Sequence, residues 1–293
     1  MVDGAGYAEA IGHHGELVQG LFEDDGARLR RALVSLPCRQ LKSKARFSPN
    51  DGEHVSVVPA SREKARRAVE LTINAFGRPG TGGSLAIDSN IPVGRGMGSS
   101  TADVLASIHA VLDWLKLEVG SHDVMRIAVN AETACDSTLF RHQAVLFAHR
   151  DGVVVESFRR PLPPIDFISI DTTPEMTVDT LEFAPARYDH LEIETFRPLR
   201  GLLRAAIKNA DARMLGRVAT ASARINERFL PKPRLDEIEA IGARFDAIGV
   251  QVAHSGTVVG LMFDAMDQNA AVKIDGAADV LGRSGFEPTI FRH

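Results

Sequence analysis

The stretch Asn90-Ile-Pro-Val-Gly-Arg-Gly-Met-Gly-Ser-Ser-Thr-Ala102 constrains this chain more than any other. Gly94, Gly96 and Gly98 alternate, so the backbone can turn tightly and approach a ligand with no Cβ in the way. Ser99, Ser100 and Thr101 then open a helix whose apolar positions Val104, Leu105, Ile108, Val111, Leu112 and Leu115 form one face. A helix start presents unpaired N–H groups and a partial positive charge, which suits a phosphate. The hydroxyls add hydrogen-bond donors and a hard oxygen for Mg²⁺. A Walker loop is excluded, because no Gly-Lys-Ser/Thr triplet stands at the helix start. A dinucleotide fingerprint is excluded too, since the third glycine comes one residue early. A ligand-free capped turn is the alternative, but one cap does not need three hydroxyls.

Around the loop the spacing predicts short strands at 53–58 and 84–88. Between them lies a helix carrying Ala65, Ala68, Val69, Thr72, Ile73 and Phe76, with Gly77 as its stop. A third helix is expected over 122–134, with Val124, Ile127, Ala128 and Ala131 inward. Strands follow at 144–149 and 152–158. Arg159-Arg-Pro-Leu-Pro-Pro164 holds three prolines in six residues and suits a boundary between domains at 1–160 and 161–293. Beyond it come a strand at 166–171 and helices near 196–209, 211–228 and 234–247. Strands at 250–254 and 258–263 precede a short helix and a final strand. Elements of both kinds interleave in both halves, so the fold class is α/β (α+β) with two layers.

The 293 residues are 44% hydrophobic, 25% charged and only 6% aromatic, with a net charge of −4, an ordinary globular balance. An acidic chain with few aromatics lacks both the basic field and the stacking platforms of a nucleic-acid binder. Cys38 and Cys135 are too few for a disulfide framework or a thiolate metal site. No apolar run reaches the roughly 20 residues of a bilayer span, and Met1-Val-Asp-Gly-Ala-Gly-Tyr7 lacks a signal peptide's regions. The expected place is the cytoplasm, with a small-molecule partner and neither nucleic acid nor membrane. A homodimer stays open.

Pro92-x-x-x-Gly96-Met97-Gly98-Ser99-Ser100-Thr101-Ala102 closely resembles the phosphate loop of the GHMP kinases, with Met97 and Thr101 in place of the usual Leu and Ala. Three further stretches resemble the L-threonine kinase branch of that superfamily, in the same order. They are Gly12-His-His-Gly-Glu-Leu-Val-Gln-Gly20, Glu132-Thr-Ala-Cys-Asp-Ser-Thr-Leu-Phe140 and Val252-Ala-His-Ser-Gly-Thr-Val-Val-Gly260. The resemblance implies a two-domain fold, N-terminal ribosomal protein S5 domain 2-like and C-terminal ferredoxin-like. It implies ATP and Mg²⁺ as cofactors, and phosphorylation of L-threonine to O-phospho-L-threonine for the cobalamin linker. Serine, homoserine or ethanolamine are alternative acceptors, because one methyl changes binding by only about 1–3 kcal/mol. A silent metabolite-binding protein is the alternative of another class. Loss of the loop serines or the metal acid would mark it, and all are present.

By the same resemblance, Pro92, Gly94, Arg95, Gly96, Met97, Gly98, Ser99, Ser100 and Thr101 hold the nucleotide, and Ser100 and Glu132 ligate Mg²⁺. Asp136 is the expected base or orienting group for the acceptor hydroxyl, or else a helix cap beside Ser137 and Thr138. Glu132 and Asp136 are four residues apart. They share a helix face if the helix continues, or meet in the cleft if it ends near Ala134. Glu16 is the expected carboxylate partner of a substrate ammonium, or a surface acid on a strand edge. His14, with His13, is expected to line the same cleft; a zinc site is disfavoured for want of a suitably spaced third ligand. Ser255, Gly256 and Thr257 are expected to touch phosphate or substrate from a turn between two strands, with His254 as either a neighbour or a core residue. Lys232, between Pro231 and Pro233, and Arg95 are candidate anion partners or solvated charges.

Overall fold

The computed structural model describes residues 4–77, 80–140, 142–176 and 186–292; Met1–Asp3 lie outside them. Its two longest strands precede every strand that periodicity predicts. Strand β1 (Gly6–Glu23) and strand β2 (Leu29–Asn50) form an antiparallel hairpin. The turn between them is closed by Asp24, whose Oδ1 accepts the N–H groups of Gly26 and Arg28 at 3.0 Å each. Strand β3 (Val55–Val58), helix α1 (Glu63–Phe76) and strand β4 (Gly82–Ser89) follow, close to their expected places. Helix α2 (Ser99–Leu115) starts at the end of the loop, and helix α3 (Ser121–Glu132) ends two residues before its expected stop. Strands β5 (Val145–Ala148) and β6 (Val153–Ser157) complete the first half.

The second half runs β7 (Ile165–Asp171), α4 (His190–Asn209), α5 (Ala212–Asn226), α6 (Leu235–Arg244), β8 (Gly249–Val252), β9 (Val258–Asp264), α7 (Ala270–Arg283) and β10 (Thr289–Phe291). Helix α7 has 14 residues, longer than the short helix the pattern predicts. The proline-rich segment 159–164 joins β6 to β7.

One sheet crosses both halves in the order β10-β7-β9-β8-β1-β2-β4-β3, with β5 and β6 branching from β2. The seam is narrow: β1 and β8 share the single register pair Glu16↔Val252. Helix α2 is buried along most of its length, including Ala102, Val104, Ala106, Ile108 and Ala110. A helix apolar on most sides must sit inside the fold, and α2 packs on β1 and β2 with α1 and α3 against it. The main core crosses the proline-rich segment, joining Leu17, Phe47 and Leu105 to Phe167, Phe196 and Met262. A second cluster around Ile168, Ile238, Val259 and Ile274 fills the C-terminal layer. Glu156 on β6 ties α4 down through Arg200 and Arg204, at 2.6 Å each. Among the described residues, no helix is long and apolar enough to cross a membrane.

Candidate active site

Gly94, Gly96 and Gly98 all adopt positive φ, at +73°, +76° and +75°, the left-handed region that glycine enters without a steric penalty. Gly98 is the N-cap of α2 and offers no side chain to the first turn, so the helix start faces the cleft uncapped by its own residue. A Cβ at Gly98 would stand 2.5 Å from Cδ2 of His13. The turn at 253–257 presses on the loop from the other side. A Cβ at Gly256 would lie 2.0 Å from the Arg95 carbonyl oxygen. The two glycine positions thus let three distant segments meet at backbone distance.

The floor of the cleft is acidic. Helix α3 ends at Glu132, because Thr133 turns left-handed at φ +75°. Asp136 therefore lies beyond the helix, before a 3-10 turn at Ser137–Leu139, and its side chain makes no cap there. Thr101 Oγ1 donates to Glu132 Oε1 at 2.7 Å and lies 3.1 Å from Asp136 Oδ2, so both acids converge on one hydroxyl of α2. Cys135 Sγ donates to the same Glu132 oxygen at 2.9 Å, and Ser100 hydrogen-bonds Glu132 as well. Burial pushes the Glu132 carboxyl above its ordinary range, more than these donors lower it. No Lys, Arg or His among the described residues forms an ion pair with Glu132. A buried carboxylate without a protein cation, beside a serine hydroxyl, is a donor set that fits a hard divalent ion.

The facing wall comes from β1, whose register slips around Gly12–Val18 and at Gly15, with φ +60°. Such bulges re-aim side chains. His13 turns to the cleft, with Nε2 3.0 Å from Asp136 Oδ2 and Nδ1 3.7 Å from Glu16 Oε1. Burial disfavours the imidazolium, but Asp136 and Glu16 outweigh it and hold the His13 pKa at about 9. Burial opposes ionisation of Asp136 as well, and His13 overcomes it, holding that carboxyl well below its usual range. Glu16 is fully enclosed: its Oε2 accepts the His254 N–H at 2.7 Å, and its Oε1 lies 3.6 Å from His254 Nδ1. It is neither a surface acid nor open to the cleft. The donor atoms of His13, Glu16 and Asp136 all lie within 4.8 Å of one another, an arrangement that the protonated ring between two carboxylates accounts for without a metal.

His14 points the other way, against the expectation that it lines the cleft. Its Nε2 is 2.7 Å from Ser169 Oγ, its Nδ1 meets Gln251, and its ring lies 4.6 Å from that of Phe167. Burial and the charge on His13 hold it neutral down to about pH 3. The Arg95 side chain also turns from the cleft, pairing with Asp171 at 3.0 Å and donating to the carbonyls of Thr173, Pro174 and Met176. Thr257 sits behind the turn, its carbonyl accepting from the Thr172 N–H and hydroxyl. Ser255, Pro92, Met97, Ser99 and Ser100 line the cleft; the Met97 side chain is buried, and its carbonyl accepts the His13 N–H at 3.1 Å. Three cleft residues carry no signal in the sequence: Lys64 on the first turn of α1, His149 after β5, and Arg150. The His149 ring lies 5.1 Å from that of His254, and burial holds its pKa near 3.

Two family models match the chain, the GHMP kinases N terminal domain over residues 63–140 and the GHMP kinases C terminal over 203–274, together half its length. An L-threonine kinase of Salmonella typhimurium is 32% identical over 179 residues, which is 61% of this chain and 59% of the length of that relative. A homoserine kinase of Moorella thermoacetica is 28% identical over 229 residues, 75% of this chain and 77% of its own. In fold the chain is similar to a homoserine kinase structure from Cytophaga hutchinsonii. The TM-score is 0.68 at 16% identity, covering 97% of this chain and 93% of that one.

Proposed function

The chain belongs to the GHMP kinases, and from that premise we propose that it transfers the γ-phosphate of ATP to the side-chain hydroxyl of L-threonine. The observation that carries this is the convergence of Glu132 and Asp136 on Thr101 Oγ1, with His13 held on Asp136, at the mouth of an open glycine loop. Phosphoryl transfer asks a protein mainly to position groups and offset charge. The loop backbone and the first turn of α2 cradle the phosphates. Ser100 and Glu132 would hold Mg²⁺, which when bound neutralises charge on the phosphate oxygens.

Asp136 accepts the acceptor hydroxyl's hydrogen bond and aims its oxygen at the γ-phosphorus. Its depressed pKa makes it a weak base and a firm acceptor. A loose transition state needs little base strength, since the alcohol proton leaves late. His13 keeps Asp136 ionised and adds a positive charge beside the transferring group. Glu16 serves as a partner of His13 and His254 behind the wall, rather than of a substrate ammonium.

L-threonine is favoured by the Salmonella relative, and O-phospho-L-threonine would then serve the cobalamin linker, as the family branch implies. The longer match to the Moorella homoserine kinase makes L-homoserine the second reading. An ATP-to-ADP assay with L-threonine, L-serine, L-homoserine and ethanolamine decides between them. Highest kcat/KM with threonine is the expected result. A homoserine preference would replace the substrate, and ATP binding without turnover of any alcohol would sink the kinase assignment.

A further inference from the structure

Beyond the phosphate cleft, sharing His149, Arg150, His254 and Ser255 with it, lies a smaller inner pocket of about 60 Å³, against about 490 Å³ for the cleft. It is sized for a few-atom group rather than a nucleotide. Its lining contains cations and no acids: Arg31 from β2, Lys232 and Arg150. Arg31 is half-buried, and burial with the like charge of Arg150 lowers its pKa. Among the described residues no carboxylate lies within ion-pair distance of Arg31, whose guanidinium sits 5.8 Å over the Tyr188 ring. Tyr188 is fixed in turn by its hydroxyl, which donates to Asn226 Oδ1 at 2.7 Å. Lys232 is 3% exposed, and its Nζ donates to the Leu230 carbonyl at 3.0 Å. Burial lowers its pKa to about 8, against the opposing charges of Glu16 and of Glu227, whose Oε1 accepts the Lys232 backbone N–H at 2.8 Å.

Buried cations are ordinarily paired, since desolvating a charge is expensive. Cations with no ion-pair partner among the described residues, around a cavity that shares four lining residues with the phosphate cleft, mark a place for an anion carried by the acceptor. A planar guanidinium held on an aromatic face is the geometry that grips a carboxylate through two parallel hydrogen bonds. We propose that this inner pocket is the acceptor's carboxylate site, with Arg31 as its anchor and Lys232 as its second cation, so that the enzyme requires a hydroxy acid and rejects the amino alcohol of the same skeleton. The proposal rests on the kinase reading above and adds the chemical group that selects the substrate.

The test compares L-threonine with L-threoninol, which keeps the amine, methyl and reacting hydroxyl but replaces the carboxylate by an alcohol. Wild type should favour threonine by about 10- to 100-fold in kcat/KM, the range of a charge-assisted contact. In Arg31→Gln that ratio should collapse toward one through a raised KM for threonine, while KM for ATP moves less than threefold. Arg31→Lys should recover part of the ratio. A preference for threonine that survives Arg31→Gln overturns the proposal, as does an equal loss for both acceptors. Should wild type turn over neither compound, the kinase reading fails, and calorimetry then decides the pocket separately. Binding of L-threonine lost on Arg31→Gln sustains the carboxylate site, and binding unchanged by that variant removes it.

Discussion

His13 and His14 are neighbours on one strand, equally buried, and end in opposite charge states. His13 faces Asp136 and Glu16 and holds its proton to about pH 9; His14 faces Ser169, Gln251 and Phe167 and stays neutral to about pH 3. Burial opposes the charged form on both sides of the strand. The difference comes from the partners, and the register slips in β1 decide which side meets them. Depth below the surface therefore says little about charge here, whereas the orientation of one peptide decides it.

The strongest way to break the charged side is Asp136→Asn. It should lower kcat by roughly 10²–10⁴-fold with KM for ATP almost unchanged, as steady-state kinetics will check; full activity would remove Asp136 from the reaction. Next comes His13→Gln, which leaves Asp136 buried without its cation. Breaking one side of a buried pair costs about 3–5 kcal/mol, to be read from urea denaturation.

The pH dependence of wild-type stability sharpens the contrast. Because the folded pKa of His13 is raised from 6.5 to about 9, its contribution is fully present below pH 6.5 and lost as pH rises through 9. The loss amounts to roughly 3 kcal/mol, and it should shrink in Asp136→Asn, which leaves Glu16 as the remaining carboxylate beside the ring. His14 has the opposite sign: its folded pKa is depressed, so its contribution holds above pH 6.5 and fades as pH falls toward 3. Its ring should remain neutral by NMR throughout that fall. His14→Gln should cost about 1–3 kcal/mol for the lost contacts with kcat within a few-fold of wild type. The smallest effect is expected away from both, at Glu156→Gln. There a part-exposed carboxylate shared by Arg200 and Arg204 should contribute about 1 kcal/mol, measurable as a small drop in urea midpoint.

The same contrast explains what the sequence makes legible. The loop from Gly94 to Thr101 can be read directly, because its chemistry is backbone chemistry: positive φ at fixed glycines and a helix start. Helices α1 and α2 follow from periodicity, and the resemblance of four motifs carries the family. The β1 wall resists such reading. Nothing in Gly12-His-His-Gly-Glu16 tells which histidine faces inward, since a one-residue slip exchanges the faces of a strand. Lys232 stands out as a candidate anion partner, but Arg31 is invisible for a related reason, as 200 residues separate the two and only the folded sheet brings them to one pocket. Arg95 misleads because the loop that carries it presents backbone, not side chains, to the cleft.

The polar partners of β1 arrive late along the chain. The main chain of Gln19 waits for Ser222, His14 for Gln251, and Glu16 for His254. During synthesis the first strand is made more than 200 residues before the groups that satisfy its interior. A nascent chain released before residue 254 would hold an intact glycine loop and a hairpin whose buried acid has lost its N–H donor. The β1–β2 hairpin can pair as soon as residue 50 is made, but the catalytic wall it carries is complete only once residue 254 has folded against it.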